Sequence, residues 1–402
     1  MSFEQTCDVL VLGGGVAGIA AALESARAGM RTLLVEKTLL PGGLATSGLV
    51  NGYLPLCDGC GHQVTFGIAE EFLHLSIRFG PGDVPACWRK SPMADGPAGR
   101  YSTPFSPASF VLALDEAILG AGAEVWFDTA ACAPVLEGDR FAGVAVENKS
   151  GRGLLRAACT IDATGDADLA CRAGVPCVEG RNNLTIWAVE LPGGAAIPYP
   201  SEILPPGPLN VVRLGGSPVD HALPPSPSEF CGIDGRKVTE FALEGRRLLR
   251  ERYAQEYARA GPEARHRLFP VTLPTIPQFR TIRHIVGRTT LPTDAANGSH
   301  ADSIGMAADW RRSGEVWEVP YGCLVPETVR HLLVAGRCIA AEGNAWEVTR
   351  SIPGCAMTGQ AAGIAAALAV HRGISPESLS AEDVQRELRA RRIPLHRRDV
   401  GL

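Results

Sequence analysis

One stretch near the N-terminus constrains the fold more than any other, because strand, glycine turn, helix, strand and acid succeed one another in register. Cys7-Asp8-Val9-Leu10-Val11-Leu12 reads as an apolar strand. Gly13-Gly14-Gly15-Val16-Ala17-Gly18 turns out of it, an alanine-rich helix runs to Ala28, and Thr32-Leu33-Leu34-Val35 is a second strand ending at Glu36. This pattern is a dinucleotide-binding βαβ unit. Gly13 permits the tight turn, Gly15 lets backbone N–H groups approach a pyrophosphate, and Gly18 lets helix pack close on strand, with Ala22 continuing the contact one turn later. Val16 and Ala17 open the helix, whose free N–H groups and macrodipole favour negative charge. Glu36 stands where a carboxylate accepts both ribose hydroxyls, which argues against a ribose 2′-phosphate.

The segment after Glu36 points to FAD rather than a nicotinamide dinucleotide. Lys37-Thr38-Leu39-Leu40-Pro41 leads into Gly42-Gly43-Leu44-Ala45-Thr46-Ser47-Gly48, a second flexible, donor-rich stretch suited to the rest of an extended cofactor. At 402 residues the chain is long enough for two domains around a large core, and its net charge of −5 offers no general attraction for nucleic acid or an acidic membrane. The uncharged run Val9–Leu23 is too short and glycine-rich to span a bilayer, and Met1-Ser2-Phe3-Glu4 has no basic leader, so a cytoplasmic protein is expected. Twelve scattered cysteines read by default as free thiols serving as small apolar side chains.

Three further runs carry a resemblance. Leu40-Pro41-Gly42-Gly43-Leu44-Ala45-Thr46-Ser47-Gly48-Leu49-Val50, Ile161-Asp162-Ala163-Thr164-Gly165-Asp166-Ala167-Asp168, and Leu332-Leu333-Val334-Ala335-Gly336-Arg337-Cys338-Ile339 occur in this order. The last is continued by Arg350-Ser351-Ile352-Pro353-Gly354-Cys355-Ala356-Met357-Thr358-Gly359-Gln360. Over nearly the whole chain this resembles the FAD-dependent oxidoreductases with a glutathione-reductase-type FAD fold. The resemblance implies an α/β protein: an FAD/NAD(P)-binding Rossmann-like domain with an inserted β-meander, and a second α+β substrate domain. The expected division is 1–55, 105–180 and 325–402 for FAD, and 56–104 and 181–324 for a substrate cap. It also implies noncovalent FAD, with Ala131 at the adenine, Ala163, Thr164 and Gly165 beside the adenosine half, and Gly336 and Arg337 near the ribityl chain and pyrophosphate. Met357 and Thr358 would open a helix whose positive end faces the flavin N1–C2=O edge.

Along the chain, a helix is expected from about Gly67, with Ile68, Phe72 and Leu75 on one face. Residues 80–101 read as an excursion. Ser106-Pro107 supplies an N-cap and a first-turn proline for a helix through Leu119 that ends at Gly120. Val125-Trp126-Phe127 reads as a strand, Val135 to Leu155 as a meander, and the sheet is re-entered at Thr160-Ile161. Dense prolines between Pro192 and Pro227 disfavour regular structure. A charged helix runs from about Gly235 to Ala260, its arginines 246, 247, 250 and 252 forming a solvated face.

Flavin supplies the redox step, so the protein must orient a substrate near N5. Arg280 and Arg283, in a segment resembling an arginine-bearing run of the family, are the candidates: a guanidinium binds carboxylate bidentately and keeps its proton, which suits an anionic substrate. A salt bridge or a cofactor contact is the plainer role for either. Thr281 stands where the family commonly has an acid. The pair Cys57 and Cys60 suggests an alternative, thiol–disulfide exchange. With His62 the two thiols could also bind zinc, but no second pair stands at ligand spacing and no metal site is expected. His62 and His284 are conceivable acid–base groups. A non-catalytic flavin-binding protein is the third reading. With no second GxGxxG for NAD(P)H, electrons are expected to pass directly to or from a small-molecule substrate over the flavin. A homo-oligomer is compatible with this.

Overall fold

The computed structural model describes residues 2–83, 102–191, 210–216, 229–266 and 268–402. Its main sheet is built on β1 (Phe3–Leu12), which pairs in parallel with β2 (Thr32–Val35) and thence with β5 (Glu124–Trp126). Short β3 (Gly52–Tyr53) and β4 (Thr103–Pro104) pair separately. Val9 to Leu12 are completely buried, as expected of a parallel strand covered on both faces, which explains the continuous apolar run.

The other side of the sheet turns on one long strand. β6 (Ala130–Glu137), β7 (Arg140–Asn148) and β8 (Gly151–Asp162) form the meander, but β8 does not stop there. Its Gly151–Arg156 portion pairs antiparallel with β7, while Gly153–Asp162 runs parallel to β1 and its last residues pair with β18 (Leu332–Val334). The expected re-entry at Thr160 is thus the far end of the meander's own third strand. One strand joins the antiparallel meander to the parallel strands within a single seven-stranded sheet, so the loop after Asp162 is fixed in register with the loop after Leu12.

Helix α1 (Val16–Arg27) lies against α7 (Ile352–Arg372), the two in backbone contact. A Cβ on Gly359 would stand 2.2 Å from the Ala17 carbonyl oxygen, and one on Gly363 2.4 Å from that of Ala21. The small-residue spacing on both helices is what permits this approach. The uncharged run of α7 from Ser351 to Val370, like that from Thr38 to Cys57, exceeds Val9–Leu23 in length. By length and composition α7 matches a membrane-crossing helix, yet most of it is buried inside the protein, where it serves as a core helix.

Other boundaries obey local signals. α2 (Ile68–Ile77) buries Ile68 and Phe72. α3 (Pro107–Ala121) is capped by Ser106, whose hydroxyl accepts from the Ser109 N–H, and runs past Gly120 to end at Gly122 in the left-handed region. After Asp162 come α4 (Asp168–Arg172) and β9 (Cys177–Glu179), which pairs antiparallel with β15 (Arg283–Ile285). β10 (Asn182–Asn183) pairs with β13 (Glu229–Phe230).

A three-stranded antiparallel sheet stands apart: β12 (Asn210–Gly215), β11 (Thr185–Leu191) and β14 (Phe269–Thr272), with α5 (Gly235–Ala260) packed on it through Leu249 and Tyr253 against Ile186, Ala188 and Val212. β12 corrects the expectation of irregular structure for its part of the proline-rich stretch; residues 192–209 and 217–228 of that stretch, and 84–101 of the earlier excursion, lie outside the described residues. Arg252 also departs from the solvated face expected of α5. Its guanidinium reaches the fully buried Glu190 carboxylate at 2.7 and 2.9 Å, and the Tyr253 hydroxyl donates to the same group. β16 (Ser303–Ala308) and β17 (Val316–Pro320) form a hairpin, and α6 (Gly343–Thr349) precedes α7.

Candidate active site

The glycine turn is shaped by what stands around it. Gly13 has φ +102°, and a Cβ there would lie 2.6 Å from the Ala163 carbonyl oxygen. A Cβ on Gly18 would be 1.8 Å from the Gly13 oxygen, while one on Gly15 would meet nothing. Gly15 is the N-cap of α1 and gives it no side-chain cap, so the first helical N–H groups of Val16, Ala17 and Gly18 open onto that free space. Glu36 is buried and holds the turn: one carboxylate oxygen accepts from the Gly14 N–H at 2.7 Å, the other from Thr38 N–H at 2.8 Å. Each oxygen keeps a lone pair for a further hydroxyl. Exposed Lys37 comes next. The Thr129 N–H donates to the Glu36 carbonyl, which brings the start of β6, with Ala131, beside this acid.

The second glycine segment lies directly on the first. Gly42 N–H donates to the Gly14 carbonyl at 2.7 Å, Gly15 and Gly42 form a bridge, and Gly43 takes φ +57° with its Cβ position 3.1 Å from the Gly15 Cα. Leu44 and Ala45 continue it as a single 3₁₀ turn. Thr46 does not present its hydroxyl outward: it donates to the Pro41 carbonyl and so folds the loop. The buried Ser47 hydroxyl, by contrast, has no hydrogen-bond partner among the described residues.

A third strand end closes the cradle. The wholly buried Asp162 carboxylate accepts from the N–H groups of Thr164, Leu169 and Ala170 and from the Thr164 hydroxyl, which ties down the Ala163-Thr164-Gly165 turn. Sequence reasoning passes over Asp162, although it stands in the very motif that carries the resemblance. Gly336, at φ +83°, approaches Ala17 and donates its N–H to the Thr358 hydroxyl. Arg337 is engaged on every side: its Nε donates to the Gly165 carbonyl, Nη1 to the Phe279 carbonyl, and Nη2 pairs with Asp166. α7 opens at Ile352, not at Met357. Ser351 caps it by accepting from Gly354 N–H, and Met357 and Thr358 lie buried in its second turn. The expected contact through the first N–H groups of a helix beginning at Met357 is therefore corrected.

The two arginines part company. Arg283 pairs with Asp168 at 2.6 Å and donates to the Asp166 carbonyl and to Cys171 Sγ, so it pins β15 to the α4 turn and its charge is already paired. Arg280 has no hydrogen-bond or ion-pair partner for its guanidinium among the described residues. Its backbone N–H and that of Thr281 donate to the Asn182 side-chain oxygen, and its guanidinium lies over the Trp187 ring at 5.2 Å. Arg213 lies over the same ring at 3.9 Å. Burial, then repulsion from Arg350, Arg337 and Arg213, pulls the Arg280 pKa down to about 9; Glu347 opposes this.

Gln278, fully buried and missed by sequence reasoning, joins the sheet of β11 to the Gly42–Gly48 loop. It accepts from Trp187 N–H at 2.8 Å and donates to the Gly48 carbonyl, while Thr275 N–H donates to the Ser47 carbonyl. A lone glutamine in an unremarkable loop carries no sequence signal of this kind.

Cys57 is buried and Cys60 exposed. The organiser of their loop is Asp58, completely buried, whose carboxylate accepts from the N–H groups of Cys60 and His62 and meets His62 Nδ1 at 3.0 Å. His284 is buried, with Nδ1 against its neighbour's carbonyl and its ring edge-on to Trp346; burial holds its pKa below the usual value, so it is neutral near pH 7.

Three strand ends, two interlocked glycine segments and a helix N-terminus make the cradle of a dinucleotide-binding fold. The family described as FAD dependent oxidoreductase matches residues 8–186 and 212–388, and the chain belongs to it. Over 74 residues the chain is 30% identical to the thioredoxin reductase of Ureaplasma parvum, a match covering 18% of this chain and 24% of that protein. Over 45 residues it is 47% identical to a probable electron transfer flavoprotein-quinone oxidoreductase of Escherichia coli, 11% of each. The chain thus matches a quarter or less of these curated relatives' length. Among solved structures, a geranylgeranyl bacteriochlorophyll reductase-like protein of Thermoplasma acidophilum superimposes with TM-score 0.50 at 16% identity, over 97% of this chain and 84% of that one. The p-nitrophenol 4-monooxygenase PnpA of Pseudomonas putida does so with TM-score 0.50 at 14% identity, over 95% and 83%. At such identities the likeness is one of fold.

Proposed function

We propose that the enzyme transfers hydride between the flavin N5 and a small organic molecule bound directly over the ring, with FAD held noncovalently. The observation that carries this reading is the cradle itself. A Cβ on Gly15 would meet nothing within 4 Å, the Gly42–Gly43 segment is bridged to that glycine, and the buried Ser47 hydroxyl further along the same loop has no hydrogen-bond partner among the described residues.

In this reading the N–H groups of Val16, Ala17 and Gly18 take the pyrophosphate. Glu36 takes the ribose, with Lys37, Ala131 and the Ala163–Gly165 turn flanking the adenosine half. Gly42 to Thr46 and Gly336 line the middle, and Arg337 keeps the two loops together rather than meeting the cofactor with a free charge. Met357 and Thr358 support the cradle from within α7. The sheet of β11, β12 and β14 with α5 is the substrate cap, joined to the cofactor loop by Gln278, and it shields the ring from water.

Hydride exchange is the chemistry the flavin supplies when bound. The protein's own task is to place the donor or acceptor carbon and to exclude solvent. Anaerobic photoreduction of the holoenzyme, then mixing with panels of organic acceptors, tests the reading. Reoxidation in one two-electron step by a small organic acceptor is expected. Bleaching of the oxidised flavin by dithiols alone, lost in Cys57→Ser, would replace it with thiol–disulfide exchange. A flavin that answers to neither would make the protein a non-catalytic binder.

A further inference from the structure

We infer that Arg280, with Arg350 beside it, receives the carboxylate of an anionic substrate against the Trp187 ring; this rests on the hydride-transfer reading and names the class of molecule that it serves. The argument begins with charge balance. Three other guanidinium groups, those of Arg213, Arg337 and Arg350, lie within electrostatic reach of Arg280, and Arg213 shares the Trp187 ring with it. Asp166 answers Arg337 and Glu347 answers Arg350, both at ion-pair distance. Among the described residues Arg280 is left without an ion-pair partner and the buried Nε of Arg350 without a hydrogen-bond acceptor. A half-buried guanidinium among like charges is costly unless an anion joins it, and a planar fork with unused N–H groups matches a carboxylate.

The location identifies the anion as substrate rather than cofactor. Gln278, two residues before Arg280, is bonded to Gly48, at the far end of the loop whose near end, Gly42, bridges to Gly15. Phe279, between them, accepts from Arg337. Arg280 therefore stands past the pyrophosphate end of the cradle, on the side of the cap strand, where Trp187 offers an aromatic surface to a substrate's carbon skeleton. Its backbone is fixed by Asn182, so the guanidinium is aimed before any ligand arrives.

The test is equilibrium binding to the oxidised holoenzyme, by calorimetry and by perturbation of the flavin spectrum, with two matched pairs of probes: benzoate with benzamide, and acetate with acetamide. At least one carboxylate is expected to bind about 30-fold or more tightly than its amide. Arg280→Ala should abolish that preference while flavin content is unchanged, and Arg280→Lys, which keeps charge but not the fork, should retain part of it at about tenfold weaker binding. Equal binding of acid and amide, or no binding of either carboxylate, would overturn the inference. So would release of FAD by Arg280→Ala, which would make this arginine a cofactor ligand. Arg280-dependent carboxylate binding in a protein whose photoreduced flavin no acceptor reoxidises would sink the hydride reading and leave the anion pocket standing.

Discussion

The dinucleotide cradle and the arginine layer beneath the cap are built from opposite materials. The cradle is backbone: Gly13, Gly15, Gly18, Gly42 and Gly359 matter for the atoms they lack, and its buried carboxylates, Glu36 and Asp162, are bonded to backbone N–H groups of the turns they hold. The arginine layer is side chain: Trp187, Arg213, Arg280, Arg337 and Arg350 come from five separate segments and meet only in the folded protein. Steric exclusion holds the first and charge balance the second. The first should therefore fail under a single added methyl, and the second under loss or neutralisation of a charge.

Adding a methyl at Gly18 should have the largest effect, because the new Cβ would sit 1.8 Å from the Gly13 oxygen and cannot be relieved without moving the turn. Gly18→Ala should cost about 3 kcal/mol or more and remove bound flavin, read from the ratio of visible to ultraviolet absorbance and from denaturant unfolding. Arg337→Ala comes next. It strands the Asp166 carboxylate and two carbonyls, and since both partners are only partly exposed the cost should be about 2–3 kcal/mol in the same unfolding experiment. If Gly18→Ala proved milder than Arg337→Ala, the contrast between the regions would be reversed.

Gly359→Ala should lie lower, at about 1–2 kcal/mol, since a clash with the Ala17 oxygen is partly offset by alanine's better helix propensity. Substitution at a solvent-facing α7 position would control for propensity. The smallest effect concerns pH. The folded protein holds the His284 pKa below its ordinary value, so between those two values the unfolded chain binds more protons. The stability of neutral His284 is complete above about pH 6.5 and is lost as pH falls through the depressed folded value. His284→Gln should flatten the decline in melting temperature between pH 7 and 5 by an amount equivalent to less than about 1 kcal/mol.

How much of this was legible in the sequence obeys the same division. The βαβ unit, the Ser106 cap, α5 from Gly235 to Ala260 and the cofactor loops could all be read, because each is encoded by neighbours in the chain. The β8 continuity was not, since nothing local to Thr160 says that the strand began at Gly151. Nor was the start of α7, where Ser351 and Pro353 carried a cap signal that the motif around Met357 outweighed. Arg280 and Arg283 look equivalent in sequence, three residues apart; one is consumed by Asp168 and Cys171 and the other is not, and those partners lie more than a hundred residues upstream.

By itself the sequence determined the βαβ unit with its glycine turn and uncapped helix end, because glycine's missing side chain and the local strand and helix signals act over a few residues. Tertiary structure alone decided which arginines are spent and which is left with its charge uncompensated. Electrostatic balance in a partly buried layer depends on every charge within several ångströms, and the chain brings those charges together only when it folds.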